Sequence, residues 1–258
     1  MLLLIVLAAI CAPWLGTVDP QSVAPVNRLK APSADHWFGT DMLGRDVYSR
    51  VVYGSRVSLT VGLSVAILST IFGLAIGMAT GFNRWADAIV MRVMDGLMSI
   101  PAVLLAISLM SLTTASLQNV VFAIMLSEVP RVVRLVRSVV LSLREQPFVE
   151  AATAAGTGVT RTLLRHILPN TVAPLLVQGT YICASAMITE AILSFIGAGT
   201  PPNIPSWGNV MAESRSLFQV ASYLIVFPGI CLSVTVLAVN LLGDGMRDAL
   251  DPRLARRM

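Results

Sequence analysis

Residues Val57 to Asn83 read VSLTVGLSVAILSTIFGLAIGMATGFN, an unbroken run without a charge. About 20 apolar residues in a helix cross a ~30 Å hydrocarbon core. Lipid offers no partner to an open backbone, so a single segment buried there must be helical. Two further uncharged stretches, Ile167 to Thr189 and Ser216 to Gly243, are long enough to do the same. Working outward, 55% of the 258 residues are hydrophobic and only 12% are charged, with a mean hydropathy of +0.78. A soluble domain carries roughly twice that charge. The chain is therefore expected to be an all-α, polytopic membrane protein.

Six spans fit the pattern best, at about 2–18, 57–82, 97–114, 117–135, 172–196 and 219–242. The first is expected to be a span and not a cleaved leader, because no basic region precedes it and no small-x-small site follows before Pro13. The fourth span is interrupted by Glu128 and Pro130. Pro101, Pro174 and Pro228 would free backbone carbonyls, as kinks or as simple packing.

The net charge of +4 is almost wholly arginine, Lys30 being the sole lysine. These arginines flank apolar spans and form no stripe, which argues for membrane orientation and against nucleic acid. With both termini inside, the inner side from Glu128 onward and around 83–96 holds twelve of the 18 cations, against six outside. That bias puts both termini and segment 136–171 in the cytoplasm. Cys11, Cys183 and Cys231 lie in apolar runs without paired spacing, so neither a disulfide framework nor a metal site is expected.

In the second span, Gly73, Gly77 and Gly81 recur every four residues, and Ser58, Gly62 and Ala66 form an earlier stripe. Small residues on one helix face let backbones approach closely in lipid. Contact between mobile parts and ordinary bundle packing would both use such a stripe.

Between the fourth and fifth spans lies EAATAAGTGVTRTLLRHILPN, Glu150 to Asn170. Pro147 suits a helix start and Glu150 complements the dipole of its first turn. Ala151, Ala152, Ala154 and Ala155 give a slim surface, and Gly156 and Gly158 would end the helix. Thr160 is expected to cap a second short helix carrying Arg161 and Arg165, with Pro169 stopping it. Such a bent polar element either docks a soluble partner or rests on lipid headgroups; the slim surface favours docking. Glu190, in the fifth span, would line a solute path or sit as structure near the outer headgroups.

The same segment resembles the signature loop of permeases in ABC importers: Glu150, Ala151, Ala152, Gly156, Leu168 and Pro169 fall in register. His166 stands where a hydrophobic residue is usual, which is similar to the His-x-Leu-Pro-Asn ending of the dipeptide, oligopeptide and nickel subfamily. The stretches His36–Leu59, Ala191–Met211 and Leu241–Arg253 also look like that subfamily's second permease. The resemblance implies a type I importer transmembrane fold with an N-terminal helix and outer loop over 1–56, the transport domain over 57–248 and a tail over 249–258.

It also implies partners: a homologous permease, two ATP-binding subunits and an extracytoplasmic solute-binding protein, all at the cell inner membrane. In that family the loop around Glu150, Arg161 and Pro169 couples to the ATPase. The subfamily suggests di- or oligopeptides as solute, with nickel, glutathione or another small solute as the alternative.

The chain has no ATP-binding loop of its own, since Lys30 stands between Leu29 and Ala31 and not after a glycine. ATP and Mg²⁺ are thus expected on the partner, and no catalytic, cofactor or metal residue is expected here. An ion-coupled secondary transporter is the rival class, but it would call for a charge relay or internal repeats that the sequence does not show.

Overall fold

A computed structural model of the chain describes residues 1–250. Ten α-helices order it: α1 (Leu2–Ile10), α2 (Val47–Phe82), α3 (Arg84–Met98), α4 (Ala102–Ser111), α5 (Leu117–Arg144), α6 (Pro147–Ala154), α7 (Val159–Thr162), α8 (Leu168–Phe195), α9 (Trp207–Glu213) and α10 (Tyr223–Leu250). No strand is present among the described residues, only an isolated bridge between Thr40 and Asp46. The expected tail over 249–258 lies, from residue 251 onward, outside the described residues.

Among the described residues three helices are long and apolar enough to cross a membrane: α2, the α7–α8 run Val159–Phe195, and α10. The helix α2 starts well before its uncharged stretch, because the Asp46 carboxylate caps it, accepting from the Ser49 backbone N–H at 2.8 Å. At 36 residues it is about 54 Å long, so its ends stand clear of the hydrocarbon.

The expected first span is shorter than the sequence suggested. Helix α1 covers nine residues and gives way at Pro13 to a 3₁₀ turn, Ala12–Trp14, because proline supplies no N–H to continue the ladder. Arg56 of α2 caps the freed end, its guanidinium donating to the carbonyls of Ala9 and Ile10.

The expected third span, 97–114, is not one helix. The chain breaks over Ser99–Pro101 and turns by 89° between α3 and α4. Proline disfavours helical backbone in the residue before it, here Ile100. The segment 83–96, expected as an inner loop, is instead helix α3, capped by the Asn83 side chain, which accepts from the Trp85 and Ala86 N–H groups. Ion pairs hold α3 to α5: Asp87 with Arg137, and Asp95 with Arg134 at 2.7 Å. Helix α5 runs on to Arg144, past the expected end at 135, and carries Pro130 within it.

The two small-residue stripes of α2 meet different neighbours. Gly62 lies against Cys183 and Met187 of α8, where a Cβ would come within 2.8 Å of the Met187 Cγ. Gly73, Gly77 and Gly81 face Val132, Val136 and Val140 of α5, and each valine fills the space a side chain would need. All three valines are buried. The equal spacing of the two rows means α2 and α5 run parallel, in register, over two turns.

At the α9 end, loops 11–46 and 196–222 form a cap. Its core is a charge cluster in which the buried Arg50 donates to Asp41 at 2.7 Å and to both carboxylate oxygens of Glu213, while Arg45 bridges the same two acids. Trp207, 1% exposed, donates its indole N–H to the Val51 carbonyl at 2.9 Å, pinning α9 to α2.

Candidate functional site

The element at the other end of the bundle is built around one anchor and one bend. In α6, Val149 is buried and Pro147 occupies the first turn, while Glu150, Ala151 and Ala154 are exposed and Ala152 is half-buried. The helix closes on Gly156, whose φ of +81° is the left-handed region that glycine reaches without penalty. Gly156 N–H donates to the Thr153 carbonyl at 2.9 Å and Thr157 N–H to the Ala152 carbonyl at 3.0 Å. That pair of bonds is a Schellman closure, which satisfies carbonyls the helix end would leave bare.

Three local expectations are corrected beyond the bend. Gly158 has φ −67° and does not end α6; it takes the N-cap position of α7. Thr160 therefore sits inside α7 and caps nothing. Nor does Pro169 stop the second helix. The chain passes through a π-helical turn, Leu163–Ile167, straight into α8, with Pro169 in the first turn of that helix. The wider turn lets Leu168 N–H reach back to the Leu163 carbonyl and makes room for the proline ring that an α-helical turn would clash with. Buried Thr162 and Ile167 seat α7 and the turn on the bundle, while Arg161 and Pro169 stay exposed and Leu168 is half-buried.

The element is thus an outward elbow, rigid at its turn and continuous with a membrane helix. Beside it opens a recess of about 470 Å³ lined by Phe82, Arg144, Val149, Glu150, Thr153 and Ala154. Arg144 closes its inner wall, donating to the Gly81 carbonyl at 3.2 Å with its guanidinium over the Phe82 ring. The glycine row of α2 therefore ends where the elbow begins.

Glu190 is nowhere near it. The side chain is completely buried at the α9 end, accepting from Ser194 and Ser206 at 2.8 Å each, Thr200 at 3.4 Å and Ser58 at 3.5 Å. With no surface to offer, it joins α8, α9, α2 and the intervening loop as a buried tie. A second buried acid, expected only as an interruption of the fourth span, also ties helices together. Glu128 of α5, 2% exposed, accepts from Arg131 at 3.0 Å and from Ser185 of α8 at 3.2 Å. Its signal was a carboxylate and an arginine one turn apart inside an otherwise apolar span.

The described fold thus combines a parallel glycine–valine seam, a helix pair broken within the bundle and an exposed elbow fused to a long apolar helix. The model of the family described as "Binding-protein-dependent transport system inner membrane component" matches residues 69–256. A peptide ABC transporter permease protein, y4tQ of Sinorhizobium fredii, is 56% identical over 97% of this chain and 86% of its own length. The dipeptide transport system permease protein DppC of Alkalihalophilus pseudofirmus is 43% identical over 96% of this chain and 82% of its own. A chain of the inward-facing MetNI methionine ABC transporter shares the fold, with a TM-score of 0.66 at 18% identity over 78% of this chain and 96% of that one.

The protein belongs to the binding-protein-dependent transport family and is a multi-pass permease subunit of an ABC importer. It works alongside another permease and an ATPase carried on separate chains, and is not itself an enzyme.

Proposed function

We propose that the chain forms half of the path by which short peptides enter the cell, moved by ATP hydrolysis in subunits docked on the elbow. The observation that carries the coupling role is the elbow's continuity with α8: a docked partner that shifts Glu150, Ala151, Ala152 or Gly156 moves a membrane helix through Arg161, Leu168 and Pro169 with no slack segment between. The arginine bias of the sequence faces this end to the cytosol, with both termini on that side. The α9 cap then meets a solute-binding protein outside, and a homologous permease completes the path. ATP and Mg²⁺ belong to two ATP-binding subunits, one of which receives this chain's elbow in a groove of its own.

Support for peptide as the solute comes from the relatives, which are named for peptide and dipeptide transport. The test is uptake of labelled dialanine by vesicles holding the whole complex, its binding protein and internal ATP. Uptake that needs ATP, survives an uncoupler and is not displaced by glutathione or nickel supports the reading. Uptake driven by an ion gradient alone would assign the chain to the secondary transporters.

A further inference from the structure

Three arginines of α5 lie level with the uncharged run of α2; Arg134 and Arg137 are paired with Asp95 and Asp87 of α3, and Arg131 is the deepest of the three. Val132 of α5 packs on Gly73 of α2, so Arg131 is level with Phe72, well within the uncharged run 57–83. Its side chain is 53% exposed, whereas Glu128, to which it donates, is buried. Charged groups at this depth face a bundle interior or a water-filled cavity.

A second observation points to the same face. The break between α3 and α4 leaves Ser99, Ile100 and Pro101 exposed. Ile100 and Pro101 line, with Leu105, Ser127 and Arg131, a cavity of about 130 Å³. Interrupted backbone at membrane depth is tolerated only where it is buried in protein or borders water. Guanidinium and helix break therefore share one face, one that both rules keep from lipid.

We infer that Arg131, positioned by Glu128, is a carboxylate-recognising residue of the solute path. Among the described residues the guanidinium donates only to Glu128, which leaves most of its five N–H donors for a ligand. A planar fork of this kind matches a carboxylate in two parallel hydrogen bonds. Glu128 has its other oxygen occupied by Ser185, so the acid is held in place and tempers the arginine's charge. A path needs that balance, since a site must be favourable enough to enter and weak enough to leave. The class of ligand, a small solute with a free carboxylate such as a peptide C-terminus, rests on the peptide reading above; the watered face does not.

The test uses the complete complex in vesicles, with Cys11, Cys183 and Cys231 first replaced by serine. Arg131→Cys, Ser127→Cys and, on the exposed apolar face of α2, Ile71→Cys are exposed to an anionic, water-soluble methanethiosulfonate. The first two are expected to react far faster than the third, and more slowly when dialanine is being imported. Separately, Arg131→Ala is expected to lower ATP-driven dialanine uptake about ten-fold or more, the range for a lost hydrogen bond to a charged group, with Arg131→Lys restoring much of it.

Thiols at both 131 and 127 that stay unmodified in every nucleotide state would show a dry face and overturn the site. Modified thiols with undiminished uptake by Arg131→Ala would overturn the carboxylate role. Wild-type vesicles that import no dialanine would overturn the peptide reading and the ligand named here, a failure distinct from dry thiols.

Discussion

Arg144, in the last turn of α5, donates to the carbonyl of Gly81, one residue from the end of α2. The bond exists because Gly81 has no side chain: Val140, one turn earlier on α5, lies where its Cβ would be. Two helices that lead into α3 and α6 are thereby locked at one level. Motion imposed at the elbow is shared by both helices.

The glycine row should be intolerant of bulk in proportion to how tightly its valines sit. At Gly77 an added Cβ would lie 2.6 Å from the Val136 Cβ, with the Val133 carbonyl at 3.0 Å, so neither neighbour can swing away as the end of a long chain would. Gly77→Leu is expected to destabilise the bundle by about 1–3 kcal/mol or more. Thermal unfolding of the purified complex in detergent reads this directly. Gly96→Leu, where no atom lies within 4 Å of the added Cβ, serves as the tolerant control.

Gly156 asks a different question, because nothing crowds it. Any penalty there comes from the backbone, where φ +81° costs an ordinary residue about 1–2 kcal/mol. Gly156→Val should leave membrane insertion normal while loosening the elbow, and ATP-driven uptake should fall several-fold. Gly156→Asn, whose side chain tolerates the left-handed region, should retain most of it. Equal uptake by both variants would remove the bend from the coupling mechanism.

How much of this was legible in the sequence follows from what each feature depends on. Uncharged length revealed α2, α8 and α10, since a hydrocarbon layer imposes that length on any chain. Their true ends were hidden, because caps such as Asp46 sit among charged residues that read as loop. The elbow's position and its Gly156 bend were readable from alanine and glycine spacing. The π turn was not, because five residues of ordinary composition, LLRHI, give no local sign of the wider coil that Pro169 demands.

The α3–α4 break was half-visible in Pro101, yet hydropathy averaged straight across it. Glu190 was found and its surroundings were not. Its partners Ser58 and Ser206 are distant in sequence, and only folding brings their hydroxyls to one carboxylate.

That buried carboxylate leads to a stability prediction. Glu190→Ala would strand the hydroxyls of Ser194 and Ser206 and weaken the join between α8 and α9, at a cost of about 2–4 kcal/mol. Glu190→Gln keeps an oxygen acceptor in place, and hydroxyls can rotate to accept from the amide, so its loss should be smaller. Unfolding of the two variants by heat, compared with wild type, separates them. A larger loss for Gln than for Ala would contradict the tie.

The cap's charge cluster should behave as a unit. Arg50 is buried and shares Asp41 and Glu213 with Arg45, so two cations and two acids balance. Arg50→Ala leaves Asp41 and Glu213 sharing Arg45 alone, with one negative charge uncompensated, and removing one partner from such a cluster costs about 3–5 kcal/mol. Glu213, whose side chain is 28% exposed, is better solvated, and Glu213→Gln should cost less. In a double-mutant cycle the combined variant should lose clearly less than the sum of the single losses, because the second substitution removes a charge the first left unpaired. Limited proteolysis of the loop 11–46 in intact vesicles provides the local readout. Arg50→Ala should expose it to cleavage while α2 and α8 remain protected, and additive losses with an uncut loop would show that the four charges do not act together.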